Sequence, residues 1–498
     1  MKTDRLEGYL EQVDDVIANG TYKDDWSSLS QYPVPEWYLR AKFGIFIHWG
    51  VYSVPAFGSE WYPRNMYLQG TPVYEHHVET YGPPSEFGYA DFIPLFKAEK
   101  FDAAEWARLF KAAGARYVMP VAEHHDGFQL YDSELSDCNA AKMGPERDVV
   151  GELRSAIEQE GMVFTASSHR AENFWFFGGG RHFDSGIQDI TYQEPYGWAD
   201  PVYSDPDHST THSGTHDICS TPPSKAHLDD WLARCCELVD KYQPKVVWFD
   251  WWIQNMAFKP YLKKFAAYYY NRSLEWGVGV AINHKFDAYP LGTAIFDIER
   301  GQLSDIRPRL WQTDTAIAKN SWGYTDNNDF KNPVDIVCDM IDIVSKNGCL
   351  LLNVGPRADG TINDEERAVL LAIGEWLQAN GEAIYDTDHW LIYGEGSTRI
   401  EEGAFTDVKR DAFTSDDIRF TYRAPCLYAH VLKWPTDGRV TIESLRAGGR
   451  HFLGHIETID LLGFEHHVSW SRDVAGLHLE VAGTLSTQYP VCARIRID

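Results

Sequence analysis

Residues 228–252 read LDDWLARCCELVDKYQPKVVWFDWW. In the first part, apolar side chains return at helical spacing, at Leu228, Trp231, Leu232, Cys235, Leu238 and Val239, which marks one buried face of a helix. Pro244 closes that pattern. The run that follows, Val246–Phe249, is β-branched and aromatic without alternation, as in a strand covered on both faces. It ends on a carboxylate, Asp250, between Phe249 and a pair of tryptophans. The stretch is therefore an αβ unit with an ionisable group where the strand stops.

The same texture recurs on both sides. Short apolar runs lie at Phe43–Trp49, Tyr117–Ala122, Val163–Ser168, Val246–Trp251, Val278–Asn283, Ala294–Glu299, Leu310–Thr313 and Cys349–Val354. Helical patterns at 103–114, 151–161 and 330–348 precede the second, third and eighth runs, and another at 364–381 follows the last. Little helix is legible around the fifth to seventh runs. Eight strands separated mainly by helices or long loops predict a (β/α)8-like TIM barrel. After Thr387 the pattern changes to short alternating runs, DIRFTYRA, CLYAHVLKW, RVTIESL, LHLEVAG and PVCARIRID, broken by Gly, Pro and Asp. That pattern predicts a C-terminal antiparallel β-sandwich. The expected organisation is a helical extension over 1–30, an α/β catalytic domain over 31–390 and the sandwich over 391–498. No internal repeat is present. The segment 170–225, rich in Gly, Ser, Thr, Asp and His, is expected to be a long functional or mobile loop.

The 498 residues carry 45 Lys and Arg against 73 Asp and Glu, a net charge of −28. Such a chain repels phosphate backbones and anionic lipid, so nucleic acid and membrane surfaces are not expected partners. The N-terminal MKTDRLEGYLEQVDDVIANG holds no apolar run, so neither a signal peptide nor a membrane span is expected. Eight scattered cysteines with no CxxC suit reduced thiols and a cytoplasmic location. In that compartment the sequons at Asn19 and Asn271 are chance matches. The 18 tryptophans supply flat apolar faces of the kind that line sugar clefts, although most are expected in the core.

Polar residues gather where the predicted strands end. His48 ends the first, Glu123, His124 and His125 follow the second, His169 ends the third, Asp250 closes the fourth and Glu299 the sixth. In a barrel these ends form one face, the one that holds active sites. Two carboxylates on one face are what glycoside hydrolysis requires, one to attack or activate water and one to protonate the leaving oxygen.

KFGIFIHWG, GSEWY, EHHDGF (123–128), VVWFD, SWGY (321–324), NGCLLLNVGPRADG (347–360) and NGEAIYDT (380–387), in this order, resemble the motif series of the α-L-fucosidases of glycoside hydrolase family 29. The resemblance covers roughly residues 36–390. It implies retaining hydrolysis of terminal α-L-fucosides on fucosylated oligosaccharides or glycoconjugates, without a metal or other cofactor. It places the nucleophile at Asp250 and hydroxyl-binding groups at His48, Glu60, Trp61, His124 and His125. Phe46, Trp248 and Trp322 match aromatics around the C5-methyl of fucose. The chemistry agrees, since a 6-deoxy sugar presents one apolar edge and several hydroxyls. Two departures stand out. The third strand ends in TASSHRAENFWFF where many members carry tyrosines, which makes His169 the substitute sugar contact. An arginine often found after the fifth strand is replaced by Asn283-His284-Lys285. The acid/base lies on a variable loop in the family; its position here selects Glu299, with Glu60 as the rival.

Two other classes compete. The HHDG pair resembles metal-dependent barrel hydrolases, but no further His/Asp ligand set is legible at the strand ends. His208, His212 and His216 repeat at every fourth residue in a sequence that does not form a helix, and read as a solvated loop rather than a metal site. A catalytically inactive sugar-binding protein would not need both Asp250 and Glu299. The sequence does not fix linkage or aglycone, and it leaves room for a homo-oligomer.

Overall fold

A computed structural model describes residues 3–201, 222–482 and 485–498. His208, His212 and His216 lie outside the described residues. The eight expected strands are all present: β1 Phe43–Ile47, β2 Tyr117–Glu123, β3 in two pieces at Val163–Phe164 and Ala166–Ser168, β4 Val246–Phe249, β5 Ala281–His284, β6 Ile295–Glu299, β7 Trp311–Ala316 and β8 Gly348–Val354. Each pairs in parallel with the next, and β8 and β2 both pair with β1, which closes the barrel.

The unit at 225–252 shows why the local sequence folds this way. Ser224 accepts a hydrogen bond from the His227 N–H and caps the helix Lys225–Tyr242. Gln243, left-handed at φ 47°, ends that helix, and Pro244 prevents its continuation. The strand that follows is buried along its whole length. Comparable helices, Ala103–Ala112, Val149–Gln159, Lys259–Trp276 and Pro333–Ser345, precede β2, β3, β5 and β8. Lys259–Trp276 falls within the region where helix was hard to read; its tyrosine run buries several faces at once and blurs the 3.6-residue period. Residues 285–294 and 300–310 connect β5 to β6 and β6 to β7 without a helix. The N-terminal helix Thr3–Asn19 packs on Lys225–Tyr242 and Lys259–Trp276 through Val13 and Ile17. No helix among the described residues is long and apolar enough to cross a membrane.

The C-terminal part is two antiparallel sheets around one apolar core. The five-stranded sheet contains β9 Asp388–Glu395, β10 Ile418–Arg423, β11 Cys426–Val431, β13 Ile456–Leu461 and β16 Val491–Ile497; the three-stranded one contains β12 Arg439–Ile442, β14 Val468–Arg472 and β15 Leu477–Val481. β9 spans the expected 390/391 boundary. β9, β13 and β14 were not legible as strands, and all three are edge strands. Paired on one side only, they carry weaker alternation, as the mostly half-exposed β9 shows.

The segment after β3 holds more order than its composition suggests: Phe174, Trp175, Phe176 and Phe177 are buried together in the main core. The polar composition of 170–225 hid this aromatic layer, which packs under Trp251 and Trp252 beside the site.

Candidate active site

The C-terminal ends of the barrel strands surround a cavity of about 380 Å³. Its wall includes His48, Glu60, Trp61, His124, His125, His169, Trp248, Asp250, Glu299 and Trp322, so ten of the eleven residues selected from the sequence converge there. The eleventh, Phe46, is fully buried and packs behind the wall, its ring centroid 4.5 Å from that of His48, 5.2 Å from Trp248 and 6.3 Å from Trp322.

Asp250 sits one residue past β4, where the chain turns sharply through Trp252 at φ 70°. Its Oδ1 accepts from the Trp251 N–H at 2.7 Å and from Lys285 Nζ at 2.9 Å. Its Oδ2 lies 3.0 Å from His169 Nδ1 and 3.5 Å from His125 Nε2. Burial alone would push this carboxyl up; the Lys285 ammonium and the His169 hydrogen bond outweigh it and hold the group well below the usual carboxylate range. Asp250 is thus an anion turned toward the cavity.

Lys285 is the group that sequence reading undervalued. It was visible only as the replacement of an arginine, with no role attached. Its Nζ donates to Asp250 at 2.9 Å and to Glu299 Oε2 at 2.5 Å, and lies 4.8 Å from the Trp248 ring. Burial opposes its charge, but Asp250, Glu299 and Asp314 hold its pKa above the ordinary lysine value. One ammonium therefore bridges the two carboxylates. Their facing oxygens are no further apart than these two contacts laid end to end. That upper bound falls short of the roughly 6.5–9.5 Å that admits a water in inverting enzymes and leaves room for the retaining spacing of about 5–5.5 Å.

The four imidazoles divide into two kinds. Burial keeps His48, His124 and His169 neutral, His169 with its pKa lowered to about 4. Burial also disfavours charge on His125, but Glu172, 3.0 Å from its Nδ1, raises it to about 9. His48 Nδ1 lies 2.7 Å from Asn353 Oδ1, which accepts its proton and leaves Nε2 for the cavity. The same Asn353 donates to the Trp322 carbonyl at 2.7 Å and so ties the first strand end to the SWGY segment. His169 Nε2 is 3.0 Å from Ser167 Oγ. Asn353, Glu172 and Ser167 were not selected from sequence. Their only signal was a polar residue inside or just beyond an apolar strand.

Glu60 and Glu299 are held differently. Glu60 Oε2 accepts from Ser321 Oγ at 3.1 Å and from the Trp322 and Gly323 N–H groups at 2.9 and 3.3 Å. It latches GSEWY to SWGY and leaves its other oxygen for the cavity. Glu299 ends β6 beside Lys285. Glu123, which follows the same logic of a polar strand end, turns out of the cavity into an ion cluster with Arg170 and Arg234 at 3.1 and 3.3 Å.

Beneath Lys285 lies a polar plug. Asp297 accepts from Gln312 Nε2 at 2.5 Å, and Gln312 Oε1 accepts from Tyr38 and Tyr117 at 2.6 and 2.8 Å. Burial raises both Asp297 and its neighbour Asp314, so this pair carries a proton that the Asp250 site does not.

The metal reading gains a geometric basis that the sequence did not show. Ligand atoms of His48, His124 and His169 lie within 4.8 Å of one another, as do those of His125, His169 and Asp250. His124 Nδ1 is buried without a protein hydrogen-bond partner. Both sets share the cavity with the bridged carboxylates and form no separate centre.

Residues 9–382 match the α-L-fucosidase family model, and 410–494 match the model of the α-L-fucosidase C-terminal domain. Human plasma α-L-fucosidase is 32% identical over 481 residues, 93% of this chain and 89% of that protein. The crystal structure of the Thermotoga maritima α-fucosidase with a mechanism-based inhibitor superposes with a TM-score of 0.74 at 31% identity, over 95% of this chain and all of that one. The same enzyme in complex with fucose gives a TM-score of 0.72 at 31% identity and 95% coverage of this chain. With a closed parallel barrel, a C-terminal β-sandwich and paired carboxylates at the barrel mouth, the chain belongs to the α-L-fucosidase family.

Proposed function

We propose that this chain is a retaining exo-α-L-fucosidase that releases terminal L-fucose from fucosylated oligosaccharides or glycoconjugates. The single observation that carries the reading is the Lys285 bridge, 2.9 Å to Asp250 and 2.5 Å to Glu299, at the floor of a cavity of about 380 Å³. Asp250, ionised and held by Lys285 and His169, attacks the anomeric carbon and forms a β-linked fucosyl ester. Glu299 gives its proton to the departing oxygen, and Lys285 receives the carboxylate that this creates. Glu299 then takes a proton from water, which attacks the ester and releases α-fucose.

The other residues fit one sugar. The free nitrogen of His48, the imidazoles of His124 and His125, the other oxygen of Glu60 and the Trp61 indole offer convergent partners for hydroxyls, whereas His169 has both ring nitrogens engaged, by Asp250 and Ser167. Trp248 and Trp322, backed by Phe46, give an apolar corner for the C5-methyl. Glu60 serves as a latch, because three donors converge on one of its oxygens.

The decisive experiment is trapping with 2-deoxy-2-fluoro-fucosyl fluoride followed by peptide mass mapping, with NMR of the first-formed product. The expected adduct is on Asp250 and the first-formed sugar is α-fucose. Initial β-fucose, or an adduct on another residue, overturns the assignment. For location we propose the cytoplasm. In support, the seven described cysteines are free, six of them buried, and the Asn271 sequon is buried with its side chain bonded to the Tyr22 backbone. Cell fractionation tests this.

A further inference from the structure

The cavity wall changes character from one side to the other. Around Asp250 it is buried, but beyond Glu299 it opens through Lys319, Asn320 and Phe405, of which the first two are exposed and the third half-buried. A general acid faces the leaving group, so the wall beyond Glu299 is where the leaving group rests. Phe405 belongs to neither a barrel strand nor a barrel helix. It lies between β9 and β10, on a segment that crosses from the C-terminal domain to the mouth of the barrel.

That segment is fastened to the strand end that carries the acid. The Phe405 N–H donates to the Glu299 carbonyl at 3.0 Å, and those of Thr406 and Asp407 donate to the Arg300 carbonyl at 2.9 and 3.0 Å. Gly403 donates to the Gln302 carbonyl at 3.2 Å. The Asp407 carboxylate accepts from Thr315 at 2.6 Å and from Lys331 at 2.5 Å. Phe405 itself holds φ 57°, the left-handed region that residues with a Cβ disfavour. An aromatic residue kept in that conformation at a cavity rim, with its backbone bonded to the catalytic strand end, is fixed in place and not a frayed loop tip.

Resting on the fucosidase reading above, we propose that Phe405 is the platform of the leaving-group subsite, supplied by the C-terminal domain, and that it stacks on the C–H face of a hexopyranose. Galactose and N-acetylglucosamine both present such a face, formed by axial hydrogens of the ring. An aromatic ring binds that face through dispersion and the partial positive charge on the C–H groups, and it holds the glycosidic oxygen within reach of Glu299. Such a platform acts only on substrates whose leaving group is a ring.

The test compares leaving groups. Hydrolysis of α-L-fucosyl fluoride, whose leaving group has no ring, is measured beside fucosyl-α-1,2-galactose and the α-1,3-, α-1,4- and α-1,6-linked fucosyl-N-acetylglucosamine disaccharides. For the disaccharide that the unmodified enzyme cleaves fastest, the ratio of its kcat/KM to that of the fluoride falls about five- to tenfold in Phe405→Ala. Phe405→Trp keeps the ratio within twofold, and an unchanged Tm in both variants excludes collapse of the segment. An equal loss on fluoride and disaccharide, or a ratio that Phe405→Ala leaves unmoved, overturns the proposal. Cleavage of the fluoride with no disaccharide cleaved also overturns it. Failure of the unmodified enzyme on the fluoride itself overturns the fucosidase reading instead.

Discussion

Replacing Lys285 with methionine keeps most of the side-chain volume and removes the charge that bridges Asp250 and Glu299. Two unit charges about 4 Å apart interact by roughly 4 kcal/mol at an effective dielectric of about 20. Leaving a buried charge without its partner costs about 3–5 kcal/mol. Lys285 and Asp250 are 2.9 Å apart and both nearly inaccessible, so the upper half of these ranges applies before relaxation. At roughly 1.4 kcal/mol per unit, the Asp250 carboxyl should rise by about two to three pH units. In the intact protein that group is depressed, so its contribution to stability is present above the ordinary carboxylate pKa and is lost as pH falls through the folded value. Without Lys285 both that stability and the ionised form of Asp250, the proposed nucleophile, are lost at a higher pH. The assay is the pH profile of kcat/KM on a nitrophenyl α-L-fucoside from pH 4 to 8. In Lys285→Met the acid limb should move up by about two to three units, so that the loss of turnover relative to the unmodified enzyme grows steadily toward the acid end of the profile. Lys285→Arg, with a fork that can reach both carboxylates, should keep the limb within about half a unit. A folded Lys285→Met enzyme with an unmoved limb would show that His169 and His125 alone keep Asp250 ionised, and would refute the reasoning.

Asp250→Ala should lower turnover by several orders of magnitude, and azide should restore part of it as β-fucosyl azide; near-normal turnover would remove Asp250 as nucleophile. Glu299→Ala should harm hydrolysis of oligosaccharides far more than of a nitrophenyl fucoside and yield α-fucosyl azide. If Glu60→Ala behaves this way and Glu299→Ala does not, the two roles are exchanged. Hydrolysis should resist chelators, whereas added Zn²⁺ should inhibit by engaging His48, His124 and His169, which burial keeps neutral and available as ligands. Inhibition should weaken in His169→Tyr, and lasting loss of activity after chelation that Zn²⁺ restores would revive the metal-hydrolase reading.

Much of this was legible in the chain because the barrel writes its interior as unbroken apolar runs and its chemistry as the residues that stop them. Asp250 after VVWF and Glu299 after IFDI are such stops, and both reach the cavity. The rule has no direction built into it, however. Glu123 is just as abrupt a stop, but a register shift between Val121 and Glu123 interrupts the pairing at the end of β2, and the carboxylate lies against Arg170 and Arg234. Lys285 was missed because its meaning depends on two carboxylates 35 and 14 residues away, and no local pattern encodes that distance. Asn353, Glu172 and Ser167 were missed for a related reason. They act on histidines and not on substrate, and a polar residue at a strand end reads the same in either case. The buried aromatic layer at 174–177 stayed hidden because its neighbours are polar and glycine-rich.

The missing helices and the C-terminal domain belong to one account. A barrel strand needs cover on its outer face, and in most of this barrel a helix supplies it. Between β6 and β7 the connection over 300–310 is too short for a helix that could return along the barrel. The segment between β9 and β10 takes that place. Glu402 accepts from the Ser304 N–H at 3.2 Å, Gly403 bonds Gln302 at 3.2 Å, and Asp407 gathers Thr315 and Lys331 with Arg300 at 3.8 Å. The domain that supplies this cover is docked on the helix Pro333–Ser345, where Asp342 pairs with Arg419 of β10 and Asp339 lies 2.7 Å from Arg410. The strand end that carries Glu299, the proposed acid/base, is therefore positioned from both sides, by Lys285 within the barrel and by the C-terminal domain outside it. A change in that domain reaches the leaving-group side of the site before it reaches Asp250.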